Sequence, residues 1–157
     1  MVRTFISHMR VQSVVVAALT MCSVALCGCN KPHTDPEFIQ AAKGPVRPFS
    51  PAVRANGFLI LSGQIGTDSS GAIVQGGIQA ETRQAMQNIK KVLADNGSSM
   101  DRVVKCTVFL GDMNEWAAMN EVYTTFFADG RKPARSAMGA NGLALGSKVE
   151  IECLAAE

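Results

Sequence analysis

Two runs that look like strand, Val103–Leu110 and Lys148–Ala155, carry apolar residues on both faces; Val104, Val108, Val149 and Ile151 are among them. Only two helical stretches accompany these runs. In Ile78–Ala94, Ile78, Thr82, Ala85, Met86, Ile89, Val92 and Leu93 form a one-sided stripe, closed by Asn96-Gly97. In Met113–Ala128, Trp116, Met119, Tyr123, Phe126 and Phe127 share a face, and Asp112 or Asn114 is placed to cap it. Ala52–Ala55 and Phe58–Gly66 flank Asn56-Gly57, a two-residue hairpin signal, and Arg135–Gly139 supplies a further strand. The expected order is β-β-α-β-α-β-β, an α+β fold with two helices on one face of a mainly antiparallel sheet. An apolar second face then has to be hidden by self-association.

The front of the chain has a different character. Residues 1–28 hold no acid, begin with Arg3 and Arg10, and are almost wholly apolar from Val11 to Leu26. That run is short for a membrane span. It ends in Leu26-Cys27-Gly28-Cys29, which resembles the bacterial lipoprotein signal, with cleavage before Cys29 and lipid attached to its sulfur. The expected organisation is a signal peptide at 1–28, a lipidated tether at 29–43 and one domain at 44–157. The expected location is the periplasmic side of the envelope, held by lipid on the outer membrane. The chain has 15 basic and 13 acidic residues; without Arg3 and Arg10 the two balance, so no basic excess exists to grip nucleic acid.

Cys106 and Cys153 lie in apolar strand runs and are expected as small buried side chains, with a disulfide left open. No Cys/His cluster has metal-ligand spacing, and the two histidines, His8 and His33, both precede the domain. The residues with chemical interest are Arg135 and Glu150. A strand Arg or Glu facing a packed interior needs a partner. An Arg fork grips a carboxylate through two parallel hydrogen bonds, and a nearby Glu orients a water or moves a proton. The competing reading is an ion pair of Arg135 with Glu150, or with Glu152, that merely holds the fold or a trimer seam. Asn120 falls inside the apolar stripe of the second helix, so it either braces backbone or faces a pocket. Trp116, Tyr123, Phe126 and Phe127 are expected as core, and Gln64, Thr107 and Ser136 as structural hydrogen-bonders.

Several stretches, in order, resemble the RidA/YjgF group of imine and enamine deaminases. They are Arg47-Pro48-Phe49-Ser50-Pro51-Ala52-Val53, Leu61-Ser62-Gly63-Gln64-Ile65, Asp112-Met113-Asn114 with Met119–Tyr123, and Pro133-Ala134-Arg135-Ser136 through Val149–Glu152. The resemblance implies a chorismate-mutase-like α+β fold and a homotrimer whose strands line an inner barrel, with sites in the clefts between subunits. It implies hydrolysis of reactive 2-enamino or 2-imino acids to 2-keto acids and ammonia, without cofactor or metal. By position, Arg135 is the carboxylate anchor and Glu150 the catalytic water-positioning group, with Ser62, Gly63, Phe49 and Asn120 near the substrate. Two departures stand out: Phe49 replaces a frequent Tyr, removing a hydroxyl, and Ala137 stands where some members carry a reactive Cys. A carboxylate-binding trimer without turnover, acting as sensor or scaffold, is the alternative.

Overall fold

The computed structural model describes residues 35–40 and 47–157. Among these residues the chain forms strands β1 Glu37–Ile39, β2 Ala52–Ala55, β3 Phe58–Leu61 and β4 Gln64–Ile65. Helix α1 Gly77–Asp95, strand β5 Val103–Leu110, helix α2 Trp116–Thr124, and strands β6 Ala134–Gly139 and β7 Val149–Ala156 follow. One sheet takes them in the order β1-β2-β3-β7-β5-β6, with β4 also paired to β7. Every pairing is antiparallel except β5 with β6. A parallel pair needs a long crossover, and α2 lies in that connection.

Burial alternates along the two inner strands. Cys106, Val108 and Leu110 on β5, and Val149, Ile151, Cys153 and Ala155 on β7, are buried. They pack with Ile78, Ala85, Met86, Ile89 and Leu93 of α1 and with Met119 and Tyr123 of α2. Each Val, Leu, Ile or Met side chain among them, fully buried, contributes about 1.5–3 kcal/mol. Phe58, Ile60, Val104 and Met138 remain exposed. The fold is thus a mixed sheet with two helices on one face.

Local chemistry explains most boundaries. Asn56 (φ 52°) and Gly57 (φ 80°) make the β2–β3 turn in the left-handed conformation it requires. At the end of α1 the Asn96 side chain donates to Val92 O (2.7 Å), and Gly97 (φ 74°) turns the chain away. Asp112 accepts from Asn114 N (2.8 Å), capping a 3-10 turn at Met113–Glu115 that leads into α2.

Four expectations change. First, the domain does not begin at Gly44: Glu37–Ile39 pairs with β2, clipped by Arg54 to Glu37 and Glu157. Second, Phe58–Gly66 is not one strand. From Ile60 to Gln64 the chain advances four residues while its partner β7 goes from Leu154 to Ile151, three residues; the extra residue is a bulge at Ser62-Gly63. Third, the helix expected to reach Ala128 stops at Thr124, where Thr124 and Thr125 turn their hydroxyls back onto Glu121 O and Val122 O. Fourth, Cys106 and Cys153 are register partners on β5 and β7, with Cα atoms 4.2 Å apart, and they are joined as a disulfide. Strand spacing puts two cysteines within bonding reach only once the register is known. The bond closes a loop of 47 residues, so reduction should lower unfolding free energy by about 2–4 kcal/mol. Urea titration with and without reductant measures this; equal midpoints would contradict it.

Candidate functional site

Arg135 sits on β6, the edge strand, as the register partner of Cys106. Its side chain therefore points to the helix face. Its Nη1 donates to Asn120 Oδ1 (2.8 Å). The guanidinium carbon lies 4.6 Å from the Tyr123 ring centre and 5.7 Å from that of Trp116. Trp116, Asn120 and Tyr123 are spaced i, i+4, i+7, so one helix face presents all three to the same cation. Asn120 Oδ1 thereby orients Arg135. The guanidinium carries five N–H donors, and one faces Asn120. The ion-pair reading fails within the chain, since neither Glu150 nor Glu152 pairs with Arg135 among the described residues.

Tyr123 is almost fully buried, and its hydroxyl has no hydrogen-bond partner among the described residues. Burial pushes its pKa up to about 12, while the Arg135 charge pulls the other way. A folded-state pKa raised above the unfolded value near 10 stabilises the fold fully below pH 10. That contribution, about 2–3 kcal/mol, is lost as pH rises through 12. The chain has one tyrosine, so phenolate absorbance reads this group alone. The folded protein should titrate well above 10 and the urea-unfolded protein near 10; equal midpoints would contradict the burial argument.

Glu150 lies on the opposite side. It is the register partner of Phe109 on β5 and of Ile65 on β4, and it alternates with buried Val149 and Ile151. Its carboxylate rests on the bulge: a Cβ added at Gly63 would fall 2.0 Å from Glu150 Oε1. Gly63 is therefore the residue that makes room for this carboxylate. Ser62 Oγ donates to Ser50 O (2.7 Å), and Ser62 N donates to Pro51 O (3.0 Å). The Ser62 hydroxyl proton holds the loop carrying Phe49. Phe49 is half exposed, with the Arg47 guanidinium 5.8 Å from its ring centre.

The expected residues thus form two half-sites. Arg135, Asn120, Trp116 and Tyr123 stand at the helix side of the β6 edge. Glu150, Gly63 and Ser62 stand on β7 and the bulge. Arg135 and Glu150 are expected to face one shared cavity at a subunit seam, yet within one chain they point to opposite faces of the sheet and share none. Register decides this: Arg135 follows the buried row of Cys106, and Glu150 follows the open row of Phe109. One buried charge escaped the sequence reading. Glu81, within the α1 stripe, accepts from Lys148 N (2.7 Å) and fixes the approach to β7. Its position three residues after Ile78 was the available signal.

Comparison with known proteins bears on the whole domain. The Endoribonuclease L-PSP family profile matches residues 39–157. The mouse 2-iminobutanoate/2-iminopropanoate deaminase is 42% identical over 122 residues, covering 76% of this chain and 90% of that protein. A RutC family protein of Pyrococcus horikoshii is 44% identical over 119 residues, covering 75% and 94%. Among solved structures, yeast Mmf1 superposes with a TM-score of 0.72 at 38% identity, covering 78% of this chain and 99% of that one. RidA from a Psychrobacter species gives 0.70 at 32% identity, covering 77% and 99%. With the profile spanning most of the chain and relatives covered nearly end to end, this protein belongs to the Endoribonuclease L-PSP family, the RidA/YjgF group.

Proposed function

We propose that this protein hydrolyses small reactive 2-enamino and 2-imino acids, such as 2-aminoacrylate, to 2-keto acids and ammonia, at sites formed where two copies meet in a homotrimer. The observation that carries this reading is the pre-set Arg135 fork. Aromatic rings hold its face, Asn120 holds one nitrogen, and its remaining donors suit a carboxylate. A small-acid name on a relative 42% identical agrees with that chemistry.

The half-sites suit a subunit seam. Arg135 lies on an edge strand, and the face bearing Glu150 also exposes Phe58, Ile60 and Met138. When the edge of one copy meets the open face of the next, the anchor and the carboxylate come together. The substrate carboxylate binds Arg135, placing C2 beside the Gly63 backbone. Glu150 orients a water, which adds to C2 of the imine, and transfers the water's proton to nitrogen. The hydroxyl proton of the resulting carbinolamine then passes through Glu150 to the amine, the C–N bond breaks, ammonia leaves, and C2 becomes a carbonyl. An enamine first takes a proton at Cβ and gives one up from nitrogen, becoming the imine. The reaction needs water alone.

A second reading keeps ligand binding and drops turnover. Two observations favour it: Phe49 lacks a hydroxyl, and Ser62 Oγ already donates to Ser50 O. Ammonia release from enzymatically generated 2-aminoacrylate separates the two. Release above the spontaneous rate supports the deaminase; thermal protection by 2-ketobutyrate with background release supports the binding trimer.

The lipid anchor at Cys29 falls outside the described residues. The Leu26-Cys27-Gly28-Cys29 run supports it, and a disulfide between Cys106 and Cys153 suits an oxidising periplasm. Cys29→Ser should move the full chain from the detergent phase to the aqueous phase in phase partitioning. Unchanged partitioning would remove the anchor.

A further inference from the structure

Arg135, Ala137 and Gly139 alternate along β6 and face the helix side, as partners of buried Cys106, Val108 and Leu110. This row runs away from the guanidinium along the open edge of the sheet. Over four residues of strand it extends about 13 Å. Its borders are apolar and accessible. Trp116 stands at the Arg135 end with about two-fifths of its surface exposed. Met113 stands at the far end, half exposed, with its Cγ 3.1 Å from where a Gly139 Cβ would be. Ala137, between them, packs on the core and presents only a methyl. An apolar strip thus begins at the charged anchor, with nothing larger than alanine on its floor.

We propose that this strip receives the substrate's side chain, so that the site prefers 2-imino acids with a branched or aromatic apolar side chain over the three-carbon one. The inference rests on the proposed carboxylate anchor at Arg135. A three-carbon acid held there reaches no further than Trp116, leaving the Ala137 methyl and the Met113 side chain that covers Gly139 without contact. A longer chain lies along the strip and removes their surface from water. Met113 is unbranched and adapts to different shapes, while Trp116 offers a rigid apolar wall. Gly139 lets Met113 lie close to the strand. A β-branched residue at 137 would fill the floor.

The test measures dissociation constants of 2-keto acids by the fluorescence of Trp116, the sole tryptophan, with calorimetry as a second readout. Pyruvate, 4-methyl-2-oxopentanoate and phenylpyruvate are titrated into the full-length protein, its Met113→Ala variant and its Ala137→Val variant. The expected result is at least tenfold tighter binding of the two larger acids than of pyruvate. That ratio should narrow at least threefold in both variants. Equal affinities for all three acids in the unaltered protein overturn the side-chain subsite and leave the Arg135 anchor standing. No binding of any acid overturns both. A ratio unchanged in the variants, with a changed oligomer mass, assigns the strip to a subunit contact and overturns the subsite.

Discussion

Arg135→Ala should lower kcat/KM for 2-imino acids about a thousandfold and abolish thermal protection by 2-keto acids, while the fold persists. The size follows from what the guanidinium supplies. A planar fork makes two charge-assisted hydrogen bonds to one carboxylate, and each contributes about 1.5–3 kcal/mol. Asn120 and the two aromatic rings hold the fork in place before ligand arrives, so little freedom is lost on binding. Truncation also leaves Asn120 Oδ1 without its donor, at a cost of about 1–3 kcal/mol to the fold. Arg135→Lys separates the two effects. The lysine keeps the charge but not the fork, so it should regain part of the stability and little of the affinity. Steady-state kinetics and thermal melts with and without 2-ketobutyrate give both answers. Retained protection in Arg135→Ala would end the anchor's role.

Glu150→Gln should lower kcat by about a hundred- to a thousandfold and leave 2-keto acid affinity nearly unchanged. The amide matches the carboxylate in shape and fits against Gly63, so the bulge is undisturbed. What is lost is the capacity to take the water's proton and return it to nitrogen. A loss confined to KM would instead assign Glu150 to ligand binding, and an unaltered kcat would remove it from the chemistry. The binding-only reading predicts no turnover in the parent protein, so the parent's ammonia release comes first.

Much of the architecture was legible in the chain because periodicity carries it. The α1 stripe, the β5 limits and the Asn56-Gly57 turn follow from side-chain spacing and from which residues tolerate positive φ. What spacing does not carry is register. Cys106 and Cys153 are 47 residues apart, and only the β5–β7 pairing makes them neighbours. Register also sends Arg135 and Glu150 to opposite faces, although both lie on strands of one sheet. The bulge that seats Glu150 adds one residue to a run that otherwise reads as continuous strand. Trp116 and Tyr123 read as core because a helix face that packs on a cation has the same apolar pattern as one that packs on leucine. Tyr123 belongs both to the core and to the Arg135 mount, whereas Trp116, expected as core, is about two-fifths exposed and belongs to the mount alone.

Mixing two inactive variants tests the split site most directly. Arg135→Ala chains keep Glu150, and Glu150→Gln chains keep Arg135. Refolded together at equal amounts, they should form trimers in which about a quarter of the seams join an intact anchor to an intact carboxylate. The account predicts recovery of about a quarter of the parent's ammonia release, with neither variant active alone. Activity that stays at background in proven mixed trimers would contradict it.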